Sequence, residues 1–205
     1  CQKMLKNIIF DLGNTVVGFD SREITRRFYK EEKDFEKLVS VTFARKYWDR
    51  LDDGSISQED FKRGVREELP EYLHKYSDAI CDGWVYELPV INGMEKLIDD
   101  LKQDGYGLFV ISNISERFSE CRDEIPILKK FDKLILSGDE KLAKPDKRIF
   151  KLAIERFGIN PGESLFADDL PANIKAAEEC GIHGYLFDGS AEKLRKRIYS
   201  ETINK

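Results

Sequence analysis

No apolar run in this 205-residue chain approaches the roughly 20 residues that cross a bilayer, and the longest, such as 108–111, are strand-sized. Membrane partners are therefore not expected. Cysteine is scarce: Cys1, Cys81, Cys121 and Cys180 are widely scattered, with no Cys-x-x-Cys pair among them. That argues against a disulfide framework and a zinc knuckle, and fits a reducing cytoplasm. A first residue of Cys1 rather than Met suggests a chain trimmed upstream rather than a lipid-bearing cysteine. Histidine is rarer still, and His74 and His183 stand far apart in unlike surroundings, which disfavours a histidine-based site. Also missing is a basic stripe. The net charge of −5 arises from 34 basic and 39 acidic residues spread along the chain, so nucleic acid is not an expected partner. A small phosphorylated metabolite remains compatible, because one lysine or a bound cation can reverse the field inside a pocket. No internal repeat or low-complexity stretch is visible.

What is present is an alternation. An apolar content of 41% suffices for a sizeable core in a monomer or small homo-oligomer. Five short apolar runs, 7–11, 107–112, 133–137, 164–168 and 184–187, read as strands buried on both faces. Between them, 93–103 places Met94, Leu97, Ile98 and Leu101 at helical spacing, 146–157 repeats the pattern, and 171–180 ends at Gly181. Strands alternating with helices imply an α/β fold with a doubly wound parallel sheet. The interval from Gly18 to Pro89 is too long for one crossover, at about 70 residues where about a dozen suffice. It is rich in helix formers and aromatics (Phe28, Phe35, Phe43, Tyr47, Trp48, Phe61, Tyr72, Trp84), and Ser57 with Asp60 has the form of a helix cap. The expected organisation is a catalytic core of 1–18 and 89–205 with a helical cap, 19–88, inserted into it.

Ligands of doubly wound sheets bind beyond the carboxyl ends of the strands, so the polar residues closing each run are the candidates. They are Asp11 with Gly13 and Thr15, Ser112 with Asn113, the adjacent pair Asp168 and Asp169, and Lys144-Pro145-Asp146 after the third run. Such a set suits nucleophilic attack by a carboxylate on a phosphoryl group. Two anions must meet, and Mg²⁺ on carboxylates would neutralise both while a lysine holds nucleophile and phosphate together. Each residue also has a plainer reading: Asp11 as a turn residue, Lys144 as a solvated loop lysine, Ser112 as a helix N-cap. Adjacent carboxylates at a buried strand end are harder to explain without a cation or a shared proton.

In order along the chain, FDLGNT at 10–15, ISN at 111–113, KPDKRIF at 144–150 and FADDLPANIKAAEECGI at 166–182 resemble the four motifs of the haloacid dehalogenase superfamily. The resemblance spans nearly the whole chain. With WDRLDDGSISQEDF at 48–61, it is most similar in pattern to the bacterial alpha-glucose-1-phosphate phosphatases. It implies a Rossmannoid core and a phosphatase with Asp11 as nucleophile. Ser112, Asn113 and Lys144 would be substrate ligands, and Asp11, Asp169 and the carbonyl of Gly13 would hold Mg²⁺, with Asp168 and Asn173 supporting that shell. A non-catalytic phosphate-binding scaffold, a phosphotransferase and, less well, a haloacid dehalogenase are the competing functions.

One position departs from the commoner pattern. Most phosphatases of the superfamily carry a second Asp two residues after the nucleophile as general acid and base, and here Gly13 stands there. A sugar hemiacetal oxygen leaves more readily than an ordinary alkoxide, so Gly13 points towards anomeric phosphates such as a hexose 1-phosphate. Asp20 is a candidate displaced acid, or else a helix cap before Arg22. The stretch with Asp49, Asp53, Gly54, Ile56 and Asp60 imitates a calcium loop. Leu51 occupies a ligand position in it, so a turn and a capped helix are expected instead.

Overall fold

The computed structural model describes residues 5–203, and the expectation concerning Cys1 lies outside them. The chain runs β1 (Asn7–Phe10), α1 (Ser21–Phe28), α2 (Phe35–Thr42), α3 (Arg45–Asp52), α4 (Gln58–Glu68), α5 (Glu71–Gly83) and α6 (Met94–Gln103). It continues β2 (Gly107–Ser112), α7 (Arg117–Glu120), β3 (Lys133–Leu136), α8 (Ser137–Glu140), α9 (Lys147–Phe157), β4 (Ser164–Asp168), α10 (Pro171–Glu178), β5 (His183–Leu186) and α11 (Ala191–Ile203).

The strands form one parallel sheet in the order β3-β2-β1-β4-β5, with Ile9 of β1 opposite Phe109 of β2 and Phe166 of β4. Alternation along β1 sends Ile8 and Phe10 to one face and Ile9 to the other. The first face is covered by α6 and α11 through Met94, Leu97, Leu101, Leu194 and Ile198. The second is covered by α9 and α10 through Ile149, Phe150, Phe157 and Ile174. The fold is thus α/β and doubly wound, as expected. The three central strands are nearly continuous in apolar residues because both of their faces are covered.

The edges correct one expectation. β5 is not buried on both faces: His183 and Leu186 are exposed and its middle residues half-buried, because it pairs with β4 alone at the sheet margin. It also begins one residue before the expected run. Lys133 at the start of β3, the opposite edge, is exposed as well.

Helices α1 to α5 all lie between β1 and β2, within the long interval. Its two ends run side by side: Val17 bridges Val90 in antiparallel sense, Gly18 N–H donates to Pro89 O at 2.8 Å, and Ile91 N–H donates to Val16 O at 2.9 Å. The chain therefore leaves the core and returns to it at one place. Phe35, Phe61 and Trp84 are buried in this region, while Tyr72 is exposed and donates from its hydroxyl to Asp34. Ser57 caps α4, accepting from Asp60 N–H. Asp49 pairs with Arg45, and Asp53 accepts from Ser55 N–H, so the calcium-like stretch is a helix end, a turn and a helix start. Among the described residues no helix is long and apolar enough to cross a membrane.

Candidate active site

The strand order reverses between β1 and β4, and that is where the sheet's ligand crevice should open. Asp11, just past β1, keeps the ladder going by donating its N–H to Ala167 O at 2.9 Å. Asp11 is thereby held beside the end of β4. Oδ1 accepts from the Ser112 hydroxyl at 2.9 Å and lies 2.9 Å from Lys144 Nζ. Neither contact involves Oδ2.

Lys144 arrives from the loop between α8 and α9, where Asp146 caps α9 by accepting from Arg148 N–H. Its backbone is clamped by the Asn113 side chain: Nδ2 donates to Lys144 O at 2.8 Å, and Oδ1 accepts from Lys144 N–H at 2.7 Å. Asn113 therefore acts first on Lys144, although it also lines the cavity described below. Ser112 is buried, belongs to β2 rather than to a helix N-terminus, and uses its hydroxyl on Asp11.

Asp168 is fully engaged. Its oxygens accept from Lys144 Nζ at 2.6 Å, from Asn173 Nδ2 at 3.0 Å to each, and from Leu170 N–H at 2.8 Å. Four contacts from three donors occupy this buried carboxylate and leave it little capacity for a direct metal bond. Asp169 is only partly buried, and the Asn14 side chain hydrogen-bonds to it. Asn14 holds a left-handed backbone, φ 56°, in the turn after Asp11. Its role was not anticipated, though its place directly after the Asp-Leu-Gly run was a signal.

Ligand oxygens of Asp11, Asp168 and Asp169 lie within 4.8 Å of one another. Three carboxylates thus face one ammonium, Lys144. Burial pushes the Asp11 carboxyl upward; Lys144 pulls it down and Asp168 pushes it up again, with a net rise. Burial and then Asp168 push Asp169 upward too. An all-oxygen donor set with excess negative charge suits a hard divalent cation such as Mg²⁺, which needs only one or two carboxylates and keeps waters. The residues present fit that group.

These side chains open into a cavity of about 450 Å³, lined from the sheet side by Asp11, Gly13, Lys144 and Asp169. Nothing lies within 4 Å of where a Gly13 side chain would begin, so the site has room at the position of the missing second Asp. The opposite wall comes from the inserted helices: Phe43, Arg45, Trp48, Asp49 and Asp52, joined by Phe19 and Trp84. Phe43 stacks on Trp48 at 5.2 Å, and Trp84 meets Trp48 edge-on at 4.7 Å. Arg45, Trp48 and Trp84 all line the cavity, where the sequence suggested that only some of the three would face the substrate. Asp20 does not belong to this wall, since its carboxylate caps α1 by accepting from Arg22 and Glu23 N–H. Asp52 was not anticipated either, because nothing local marks which residue of the inserted helices meets the sheet's carboxyl end.

A family model described as haloacid dehalogenase-like hydrolase matches residues 5–181. The D-ribitol-5-phosphate phosphatase of Bacteroides thetaiotaomicron is 24% identical over 203 residues, covering 92% of this chain and 95% of that protein. Mouse acyl-CoA dehydrogenase family member 10 is 35% identical over 96 residues, which is 46% of this chain, and the chain spans only 9% of that protein's length. Among solved structures, a family enzyme of Bacteroides thetaiotaomicron, crystallised with magnesium and inorganic phosphate, superposes with a TM-score of 0.72 at 26% identity, covering 93% of this chain and 98% of that one.

Proposed function

Because the chain belongs to the haloacid dehalogenase-like hydrolases, we propose that it is a Mg²⁺-dependent phosphatase acting on a small phosphomonoester through a phosphoryl intermediate on Asp11. The observation that carries this is the setting of Asp11, whose Oδ1 is held by Ser112 and Lys144 while Oδ2 takes no part in those contacts. Oδ2 attacks phosphorus, and the bond to the leaving oxygen breaks. Water then cleaves the acyl phosphate and frees inorganic phosphate. Lys144 neutralises Asp11 and the incoming phosphoryl oxygens, Asn113 fixes Lys144, and Asp168 with Asn173 holds Lys144 Nζ in place. Asp11, Asp169 and the Gly13 carbonyl are the groups that would hold Mg²⁺, whose charge stabilises the transferring phosphoryl group. Residues 19–88 act as the cap that selects the substrate.

The named phosphatase relative and the phosphate-bound neighbour support a phosphorylated substrate. The size of the cavity accommodates a sugar phosphate, such as a hexose 1-phosphate. Sugar phosphates, nucleotides and phosphorylated cofactors should be assayed for phosphate release with Mg²⁺ and with chelator. Release from sugar phosphates without an added acceptor, suppressed by chelator, is expected. Chelator-resistant turnover, or transfer only to an added acceptor, would overturn the reading.

A further inference from the structure

The phosphatase reading leaves a proton unassigned, because Gly13 offers no side chain to the leaving oxygen. Six titratable residues line the cavity: Asp11, Arg45, Asp49, Asp52, Lys144 and Asp169. Asp11 is the nucleophile, Asp169 belongs to the cation, and Lys144 is shared between two carboxylates. Arg45 and Asp49 pair with each other at the solvent-exposed rim. Only Asp52 remains.

We propose that Asp52, the last residue of α3, is the general acid and base of the reaction, supplied by the cap in place of the residue missing at position 13. The inference rests on the phosphatase reading. Its carboxyl accepts from the Ser115 N–H, three residues beyond Ser112, while Oδ1 is buried without a hydrogen-bond partner among the described residues. The main chain is pinned as well, since the Ser137 hydroxyl donates to Asp52 O while accepting from Ile114 N–H at 2.9 Å. Glycines make the approach possible: a Cβ on Gly54 would stand 2.5 Å from Gly138 O, and one on Gly138 would stand 2.4 Å from Glu116 N. Asp52 is thus locked to the loop that follows Ser112 and carries Asn113. Burial, with the charges of Asp49, Asp53 and Asp11, pushes its carboxyl up to about 7, so a protonated form is available near neutrality.

The proton balance closes. As Asp11 displaces the alcohol, Asp52 gives its proton to the leaving oxygen and becomes carboxylate. It then takes a proton from the water that attacks the acyl phosphate, restoring both residues as phosphate departs. An internal donor also frees the enzyme from needing an acidic leaving oxygen, so alkyl phosphates of polyols join anomeric phosphates as substrates.

The test compares single-turnover alcohol release, enzyme in excess with Mg²⁺, from an alkyl phosphate and from 4-nitrophenyl phosphate, whose leaving group needs no proton. Asp52→Asn keeps an oxygen for the Ser115 N–H. It should slow the alkyl ester on the order of 100-fold, and the aryl ester at least tenfold less. Equal losses on both esters, or no loss on either, would overturn the proposal. If Asp52→Asn fails to fold, Asp52→Glu moves the carboxyl and should change the alkyl-to-aryl ratio; an unchanged ratio overturns it too. A wild-type protein releasing neither alcohol in an Asp11-dependent way would instead sink the phosphatase reading.

Discussion

Lys144 has a side chain only 1% exposed, held between Asp11 and Asp168, whose side chains are 11% and 0% exposed. Removing one partner from such a buried cluster leaves charges that neither water nor protein compensates. Lys144→Met should therefore lose about 3 kcal/mol of stability by denaturant unfolding in chelator. Saturating Mg²⁺ should shrink that loss, since the cation supplies part of the missing positive charge. Asp52 gives a pH signature. Its folded-state carboxyl at about 7 lies above the ordinary 3.8, so the native state binds the proton more tightly than the unfolded chain. That contribution is full below the ordinary value and is lost as pH rises through about 7. The groups acting on it are Asp49 and Asp53 from its own helix end, Asp11 from the end of β1 and the Ser115 N–H, with Lys144 lining the same cavity. Unfolding curves in chelator should show wild-type stability falling between about pH 4 and pH 7, and Asp52→Asn flatter by on the order of 2 kcal/mol. Superimposable pH profiles would contradict the assignment.

Among the elements, α3 and the turn after it approach α8 closely, a Cβ on Gly54 falling 2.5 Å from Gly138 O. Gly138→Ala puts a methyl group against backbone at Glu116, where no flexible side chain can yield. A loss of about 2 kcal/mol is expected from thermal or denaturant unfolding, together with a fall in kcat on alkyl phosphates as Asp52 is displaced. The central strands and α6, α9 and α10 were legible to within a residue or two, because period-two burial and three-to-four spacing are local properties of the chain. β5 was misjudged for a non-local reason: Gly184 and Tyr185 read like a buried run, but exposure depends on whether a neighbouring strand follows. The carboxylates at the strand ends were legible because a parallel sheet delivers all its carboxyl ends to one side. Asp52 was not, since its value lies in the register between α3 and the loop after β2, which no spacing within 48–61 encodes. Asp20 was a reasonable rival on sequence and is explained by the cap it makes on α1.

For the molecule as a whole, the sheet and the inserted helices meet over one cavity, with the carboxylates and Lys144 on the sheet side and an aromatic wall opposite. If Asp11 and Asp169 hold a cation as proposed, it would bind only the folded chain, so Mg²⁺ at about 100 times its dissociation constant should raise the unfolding free energy by about 2.7 kcal/mol. Asp169→Asn should abolish that increment while leaving the metal-free stability largely intact, as thermal melts with and without chelator would show. The most direct measurement of the central claim is mass spectrometry of protein acid-quenched during turnover of a sugar phosphate with Mg²⁺. The account predicts a phosphoryl group on the peptide containing Asp11, absent with chelator and in Asp11→Asn. Undiminished phosphate release by Asp11→Asn, with no phosphoryl group trapped on that peptide in the wild type, would contradict it.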